Sequence, residues 1–142
     1  MKVWHFEIPG PPITKKNHTQ IVTNRKTGKP FLMQNQKYID YETAAAYYLQ
    51  PAPRDPIEGP VTVTCRYYMP TRRRVDLTNL MAATHDILVR FFILADDSRD
   101  VIASTDGSRV YYNKDFPRVE IDISPFEEPY TPFHTEKAKK GK

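Results

Sequence analysis

The chain has 142 residues, of which 39% are hydrophobic and 27% charged, a size and composition typical of one folded domain and not of a disordered chain. Its 21 lysines and arginines against 17 acidic residues give a net charge of +4, which by itself is weak evidence for a nucleic-acid partner. One cysteine, Cys65, excludes an internal disulfide, and no apolar run approaches the roughly 20 residues that a membrane span requires. We therefore expect a soluble, cytoplasmic protein without a membrane segment.

The first part of the chain predicts a strand, a hairpin and a helix. Residues 3–8 alternate apolar and polar side chains before a proline-rich loop, which predicts the first strand. Short extended runs at residues 20–23 and 30–33 flank a polar segment with one glycine and predict a hairpin. A helix is then predicted, with Asn35 as its cap and the prolines from Pro51 onward as its end.

The second part predicts a strand, a helix and three further strands. Residues 61–69 alternate as a strand, with Cys65 on the apolar face as a buried structural thiol. Apolar residues at helical spacing predict a second helix over about residues 77–92, and Asp76 stands at its N-cap position. Strands at 99–105 and 109–112 are predicted to form a hairpin around the Asp106-Gly107 turn, and alternation at residues 119–123 predicts the last strand.

This order of elements predicts a single α+β domain with a mixed β-sheet and two main helices. We assign the domain to residues 1–124. Residues 125–142 are rich in proline, lysine and glycine, which predicts a loose C-terminal tail.

Three neighbouring features suggest chemistry on a phosphate backbone. Arg72, Arg73 and Arg74 precede Asp76, and the pair Asp96-Asp97 follows the helix. Arginines neutralise phosphates, whereas carboxylates hold a hard divalent cation that phosphate oxygens complete. Taken singly, these features are typical of an exposed loop, a helix cap and a solvated turn. Together they indicate a possible metal-dependent nuclease.

Helix geometry limits the ligand set. Asp86 lies ten residues after Asp76, so the two are about 15 Å apart along one helix, too far to share an ion. We expect Asp86 to be a salt-bridge partner or a residue that supports a ligand. His85 is expected to be a packed or surface side chain. Tyr111 and Tyr112 could stack on unpaired bases, although a strand pair with one ring buried is commoner.

The chain resembles the RusA-type Holliday junction resolvases in three segments. The central one is Arg73-Arg74-Val75-Asp76-Leu77-Thr78-Asn79-Leu80, followed by Asp86-Ile87-Leu88 and then by Asp96-Asp97-Ser98. The opening Ile8-Pro9-Gly10-Pro11-Pro12 and the closing Arg118-Val119-Glu120-Ile121-Asp122-Ile123 are similar to the family's first loop and last strand. The resemblance extends to about Ser124.

The resemblance implies a RusA-like fold and a magnesium-dependent endodeoxyribonuclease that resolves four-way junctions by paired nicks in recombination and repair. It implies that Asp76 and Asp97 are catalytic Mg²⁺ ligands, with Asp96 as a further candidate ligand. It also implies a homodimer and a bacterial or prophage source. Basic residues would then hold the junction arms: Lys15, Lys16, Arg72, Arg73 and Arg74.

Two positions depart from the family's pattern. Thr78 stands where the family has a second Asp, and Ala82 stands where it has a Lys. Either the site is rebuilt with Asp96, Asp100 or His85, or activity is reduced or lost. The alternative function is therefore a catalytically inactive protein that binds branched DNA. A general protein-interaction domain would leave the arrangement of acidic residues unexplained.

Overall fold

The computed structural model describes residues 3–15, 19–34 and 36–133. Within them, seven strands and two helices follow one another along the chain. In order they are β1 (Trp4–Pro9), β2 (Thr19–Thr23), β3 (Pro30–Gln34), α1 (Gln36–Tyr48), β4 (Val61–Met69), α2 (Leu77–Arg90), β5 (Ile102–Ser104), β6 (Arg109–Tyr112) and β7 (Arg118–Pro125).

The main sheet is mixed and has five strands. β7 lies in its middle and pairs antiparallel with β1 on one side and with β4 on the other. β4 in turn pairs in parallel with both β5 and β6. The strands β2 and β3 form a separate antiparallel pair, as predicted for a hairpin. The predicted α+β class with a mixed sheet and two helices is thus confirmed.

One face of the sheet packs against the helices and forms the core. Along β4 and β7, every second side chain is buried because alternate residues of a strand point to opposite faces. Leu80, Ile87 and Leu88 of α2 belong to the same apolar cluster. The hydroxyls of Tyr67 on β4 and Thr84 on α2 are 2.7 Å apart, which joins the two elements inside this core. Cys65 is buried there, and burial raises its pKa to about 12, as expected for a structural thiol.

The other face of the sheet carries a network of charged side chains. Asp122 on β7 is 2.5 Å from both His5 Nδ1 on β1 and Arg66 Nη2 on β4. Arg66 also contacts Glu120, which lies 2.9 Å from Arg118. Three adjacent strands are therefore joined on this face by side-chain hydrogen bonds and ion pairs, in addition to their backbone hydrogen bonds.

The predicted hairpin around Asp106-Gly107 is wrong. β5 and β6 do not pair with each other, and they follow one another along the same edge of β4. The residues between them bulge toward β4: Thr64 Oγ1 donates to the Asp106 carbonyl at 2.7 Å, and the Cys65 N–H donates to Ser108 Oγ at 3.0 Å. These contacts with β4 satisfy the polar groups of the bulge, so the chain continues in the same direction instead of reversing.

Other boundaries differ slightly from expectation. Helix α2 ends at Arg90, two residues earlier than predicted, because the chain turns through Phe92 in a left-handed conformation with φ of 62°. The N–H groups of Ile93 and Leu94 then donate back to the Leu88 carbonyl. Asn35, the predicted cap of α1, lies outside the described residues. No helix among the described residues is long and apolar enough to cross a membrane.

Candidate active site

A basic loop joins β4 to α2. Arg72, Arg73 and Arg74 are all exposed, and none of the three has a carboxylate within salt-bridge distance among the described residues. The Arg72 guanidinium lies over the ring of Tyr112, 4.7 Å from its centroid. The loop thus presents three uncompensated cations immediately before the first turn of α2.

Asp76 occupies the N-cap position of α2, as predicted, but its carboxylate does not cap the helix. The side chain is exposed and accepts a hydrogen bond at 3.3 Å from Asn79 Nδ2. It lines a shallow cleft together with Arg74, Val75 and Asn79. A carboxylate here lies at the positive end of the helix dipole.

One face of α2 carries both departures from the family pattern. Thr78, Ala82 and Asp86 are spaced four residues apart and therefore lie one above another along the helix. Thr78 and Ala82 are both exposed. Along this face the chain presents a hydroxyl, then a methyl group, and only then a carboxylate.

A second cleft, which we call the acidic cleft, begins at that carboxylate. Its lining residues come from α1, α2, the loop after β1 and the turn after α2: Lys15, Glu42, Asp86, Val89, Arg90 and Asp97. Two of its carboxylates already have cationic partners, since Lys15 Nζ lies 3.5 Å from Asp86 and Arg90 Nε lies 3.2 Å from Glu42. The predicted role of Asp86 as a salt-bridge partner is confirmed.

Two further groups, the partly buried His85 and the buried Tyr38, interact electrostatically with acids of the acidic cleft. Burial lowers the pKa of His85, and the nearby Asp97 and Asp86 carboxylates partly oppose that shift. Burial also raises the pKa of the Tyr38 hydroxyl, and Glu42 and Asp86 raise it further. His85 and Tyr38 are therefore close enough to these acids to interact with their charges.

The acids after α2 have local partners. Hydrogen bonds from the backbone N–H groups of Asp97 and Ser98, together with the Ser98 hydroxyl, hold the pKa of Asp96 below its usual range. Asp100 accepts hydrogen bonds from the Tyr130 hydroxyl at 2.5 Å and from the Phe133 N–H at 3.0 Å. The Asp100 carboxylate is thus engaged by the segment that follows β7.

The structure brings some predicted site residues together and separates others. Asp97 shares a cleft with Lys15, whereas Asp76 lines the other cleft with Arg74. Lys16 lies outside the described residues. Glu42 was missed by the sequence reasoning. Glu42 follows the buried Tyr38 by one helical turn. The position of a carboxylate next to the apolar face of α1 is the sequence signal that could have identified it.

The donor chemistry of these acids suits a hard cation, although no complete protein cage is present. Among residues 3–15, 19–34 and 36–133, no group of three or more possible ligands is close enough to hold a metal ion. Mg²⁺ at phosphate-processing sites uses one or two carboxylates and completes its shell with water and substrate phosphate. Exposed carboxylates such as Asp76 and Asp97 fit that partial role.

The comparisons with known proteins identify the family. No curated protein sequence matches the chain. A family model described as endodeoxyribonuclease RusA matches residues 9–124, which include the basic loop, α2, the acids after it and the main sheet apart from most of β1. Because this match covers most of the chain, the protein belongs to the RusA endodeoxyribonuclease family.

Proposed function

We propose that the protein is a Mg²⁺-dependent endodeoxyribonuclease that resolves four-way DNA junctions by paired nicks. The observation that carries the proposal is the arrangement along α2 in a RusA family member. Three uncompensated arginines precede the helix, and carboxylates lie at its start and beside its second half. Such a surface attracts a phosphate backbone and presents acids to it.

We assign metal binding to Asp76 and Asp97, with Asp96 as a further ligand. When bound, Mg²⁺ would polarise the scissile phosphate and lower the pKa of a bound water molecule. The exposure of Asp76 and the position of Asp97 in a cleft support this assignment, because both carboxylates can be reached by a phosphate group. The local hydrogen bonds of Asp96 make it the weakest of the three ligands.

We assign DNA binding to Arg72, Arg73 and Arg74, together with Lys15 and Lys16. The arginines have no carboxylate partner among the described residues, so phosphate groups would neutralise them without breaking an existing ion pair. Lys15 already contacts Asp86. A phosphate at Lys15 would compete with that carboxylate.

Paired nicks on a two-fold substrate require two equivalent sites, so we propose a homodimer. Light scattering of the purified protein should then give twice the chain mass of 16.5 kDa, with and without a junction bound. A particle that stays monomeric on the junction would contradict this part of the proposal.

The central experiment is a nicking assay on a synthetic four-way junction, with Mg²⁺ and with a chelator. Asp97→Asn should abolish nicking and keep or tighten junction binding, because it removes a ligand and a negative charge near phosphate. Asp55→Asn is the matched control, since it makes the same charge change in the exposed loop between α1 and β4. Unchanged nicking by Asp97→Asn would show that Asp97 is not a metal ligand.

The second candidate is an inactive protein that binds branched DNA. It is favoured by one observation: Thr78 and Ala82 are exposed on the α2 face, where no charge replaces the family's Asp and Lys. The same assay separates the two functions. Binding of the junction without nicks, at any Mg²⁺ concentration, would establish the inactive binder.

A further inference from the structure

Strand β6 forms part of the sheet edge, and its aromatic side chains are exposed. All four of its residues are exposed, with Tyr111 and Tyr112 at 41% and 46%. The sequence-based expectation that one of these two rings would be buried is therefore wrong. Among the described strands, β6 pairs only with β4, so no strand covers its outer side.

Three side chains on adjacent strands form a stacking column that ends at this edge. Arg118 on β7, Tyr68 on β4 and Tyr111 on β6 lie opposite one another in the strand register. The Arg118 guanidinium is 3.9 Å from the centroid of the Tyr68 ring, and that ring stacks on Tyr111 at 5.1 Å with an angle of 20°. Each layer covers the next, and the last layer is the half-exposed ring of Tyr111.

The column adjoins the basic loop. Tyr112, the next residue of β6, points to the opposite side of the strand, where its ring lies under Arg72. A ligand that reaches around the edge would therefore meet the Tyr111 ring on one side of β6 and the Arg72 guanidinium, over Tyr112, on the other side. This pairing suits a nucleotide, whose base is flat and whose phosphate is anionic.

We propose that Tyr111 is the open end of a stacking platform for an unpaired nucleobase of DNA, with Arg72, across the edge strand, binding a phosphate of the same strand of DNA. The proposal rests on the proposed function and extends it, because a branched substrate can expose bases that a duplex keeps stacked. A second copy of the chain fits this edge less well. A two-fold contact centred here would bring two sets of uncompensated arginines toward each other.

The test measures binding to a labelled single-stranded oligothymidylate of about 12 nucleotides and to a duplex of the same length, both in chelator so that no cleavage occurs. Tyr111→Ala should weaken single-strand binding by about tenfold, the scale of one lost base–aromatic stack. Tyr111→Phe should bind like the parent because the ring remains. Duplex affinity should stay the same in all variants.

A matched control and a second signal complete the design. Tyr47→Ala removes a ring from α1 that is more exposed than Tyr111, 78% against 41%, and should bind both probes like the parent. A 2-aminopurine base in the single strand should be quenched by the parent and by Tyr111→Phe but not by Tyr111→Ala. Single-strand affinity of Tyr111→Ala within twofold of the parent, or Tyr111→Phe as weak as Tyr111→Ala, would overturn the proposal.

Two further results would also count against the platform: equal losses of single-strand and duplex binding, or a changed particle mass for Tyr111→Ala in light scattering. The nicking assay separates this proposal from the preceding one. If single-strand binding depends on the Tyr111 ring but the junction is not cleaved, the stacking proposal is supported and the proposed nuclease activity is contradicted. If the junction is cleaved but single-strand binding does not depend on the ring, the nuclease proposal is supported and the stacking proposal is contradicted.

Discussion

At the start of α2, a retained carboxylate and a neutral hydroxyl lie two residues apart. Asp76 and Thr78 are both exposed, and both lie within the first turn, where the helix dipole favours negative charge. Of the acids that could compensate for Thr78, Asp100 is engaged by Tyr130, and Asp96, the weakest of the proposed ligands, accepts hydrogen bonds within its own turn. An aspartate at position 78 would therefore restore the negative charge that the family pattern has there.

Thr78→Asp should raise Mg²⁺ affinity and junction nicking by about tenfold, the scale on which one supporting group changes a metal site. Ala82→Lys in the same chain should add further to nicking, because a cation one helical turn away can stabilise a phosphate. Metal titration and single-turnover nicking rates would measure both effects. Thr78→Asn serves as the uncharged control of similar size. A slower Thr78→Asp would instead indicate crowding by a carboxylate that already fills the place.

At the level of elements, the periodicity of apolar residues predicted which face of a single strand or helix is buried. The alternation in β4 predicted its buried face, and helical spacing in α2 predicted its core side. The arrangement of β5 and β6 could not be predicted in this way. It depends on contacts from Thr64 and Cys65 to a bulge more than 40 residues later in the chain, at separations of 42 and 43.

In the candidate site, too, local features could be predicted from the sequence and features that depend on tertiary packing could not. The basic loop and the N-cap position of Asp76 were predicted because they are local. The acidic cleft was not, because Glu42 of α1 and Asp97 after α2 line it together only when both helices pack on one sheet face.

Gly59, in the loop before β4, lies against the backbone that leads into β5. Its φ is +80°, and a Cβ there would lie 2.6 Å from the Val101 carbonyl oxygen. Gly59→Ala should therefore lower the free energy of unfolding by about 3 kcal/mol or more, from backbone strain plus a clash that no side chain can relieve. Urea unfolding measures this loss. Gly28→Ala, with a φ of +72° and open space around it, should cost only about 1 kcal/mol.

Asp122 gives the charged face of the sheet a pH dependence. Burial alone would raise its pKa, but hydrogen bonds from His5 and Arg66 hold it below the ordinary value of 3.8. Its contribution to stability is therefore complete above that value and is lost as the pH falls through the lower folded-state pKa. Asp122→Asn should cost about 1 kcal/mol at pH 7 and less at pH 3. An equal cost at both pH values in urea unfolding would contradict this linkage.

Over the whole molecule, positive charge is distributed unevenly. Most described arginines on the sheet face are paired with carboxylates, as Arg66 and Arg118 are. The basic loop carries three that are not. The basic loop is thus one part of the described surface where neighbouring acids do not offset the positive charge.

Replacing Arg72, Arg73 and Arg74 by Ala should weaken binding to DNA of any sequence. The slope of log affinity against log salt should flatten by about one unit for each lost phosphate contact. Fluorescence anisotropy with a junction and with a duplex, over a salt series in chelator, measures both quantities.

A matched triple variant separates loop contacts from net charge. It removes the same charge from the exposed turn between β2 and β3: Arg25, Lys26 and Lys29. We expect this variant to leave the slope nearly unchanged. If both triple variants flatten the slope equally, the basic loop does not contact DNA specifically.

The bulge between β5 and β6 also bears on how the protein behaves when concentrated. A long, uninterrupted edge strand offers a row of unpaired amides to which another chain can add, and this is a common start of aggregation. Here the edge is divided into strands of three and four residues, with Gly107 pressed against Thr64 between them. Neither piece is long enough to template an intermolecular ladder, so the same irregularity that ends local pairing also protects this edge of the sheet from cross-β association.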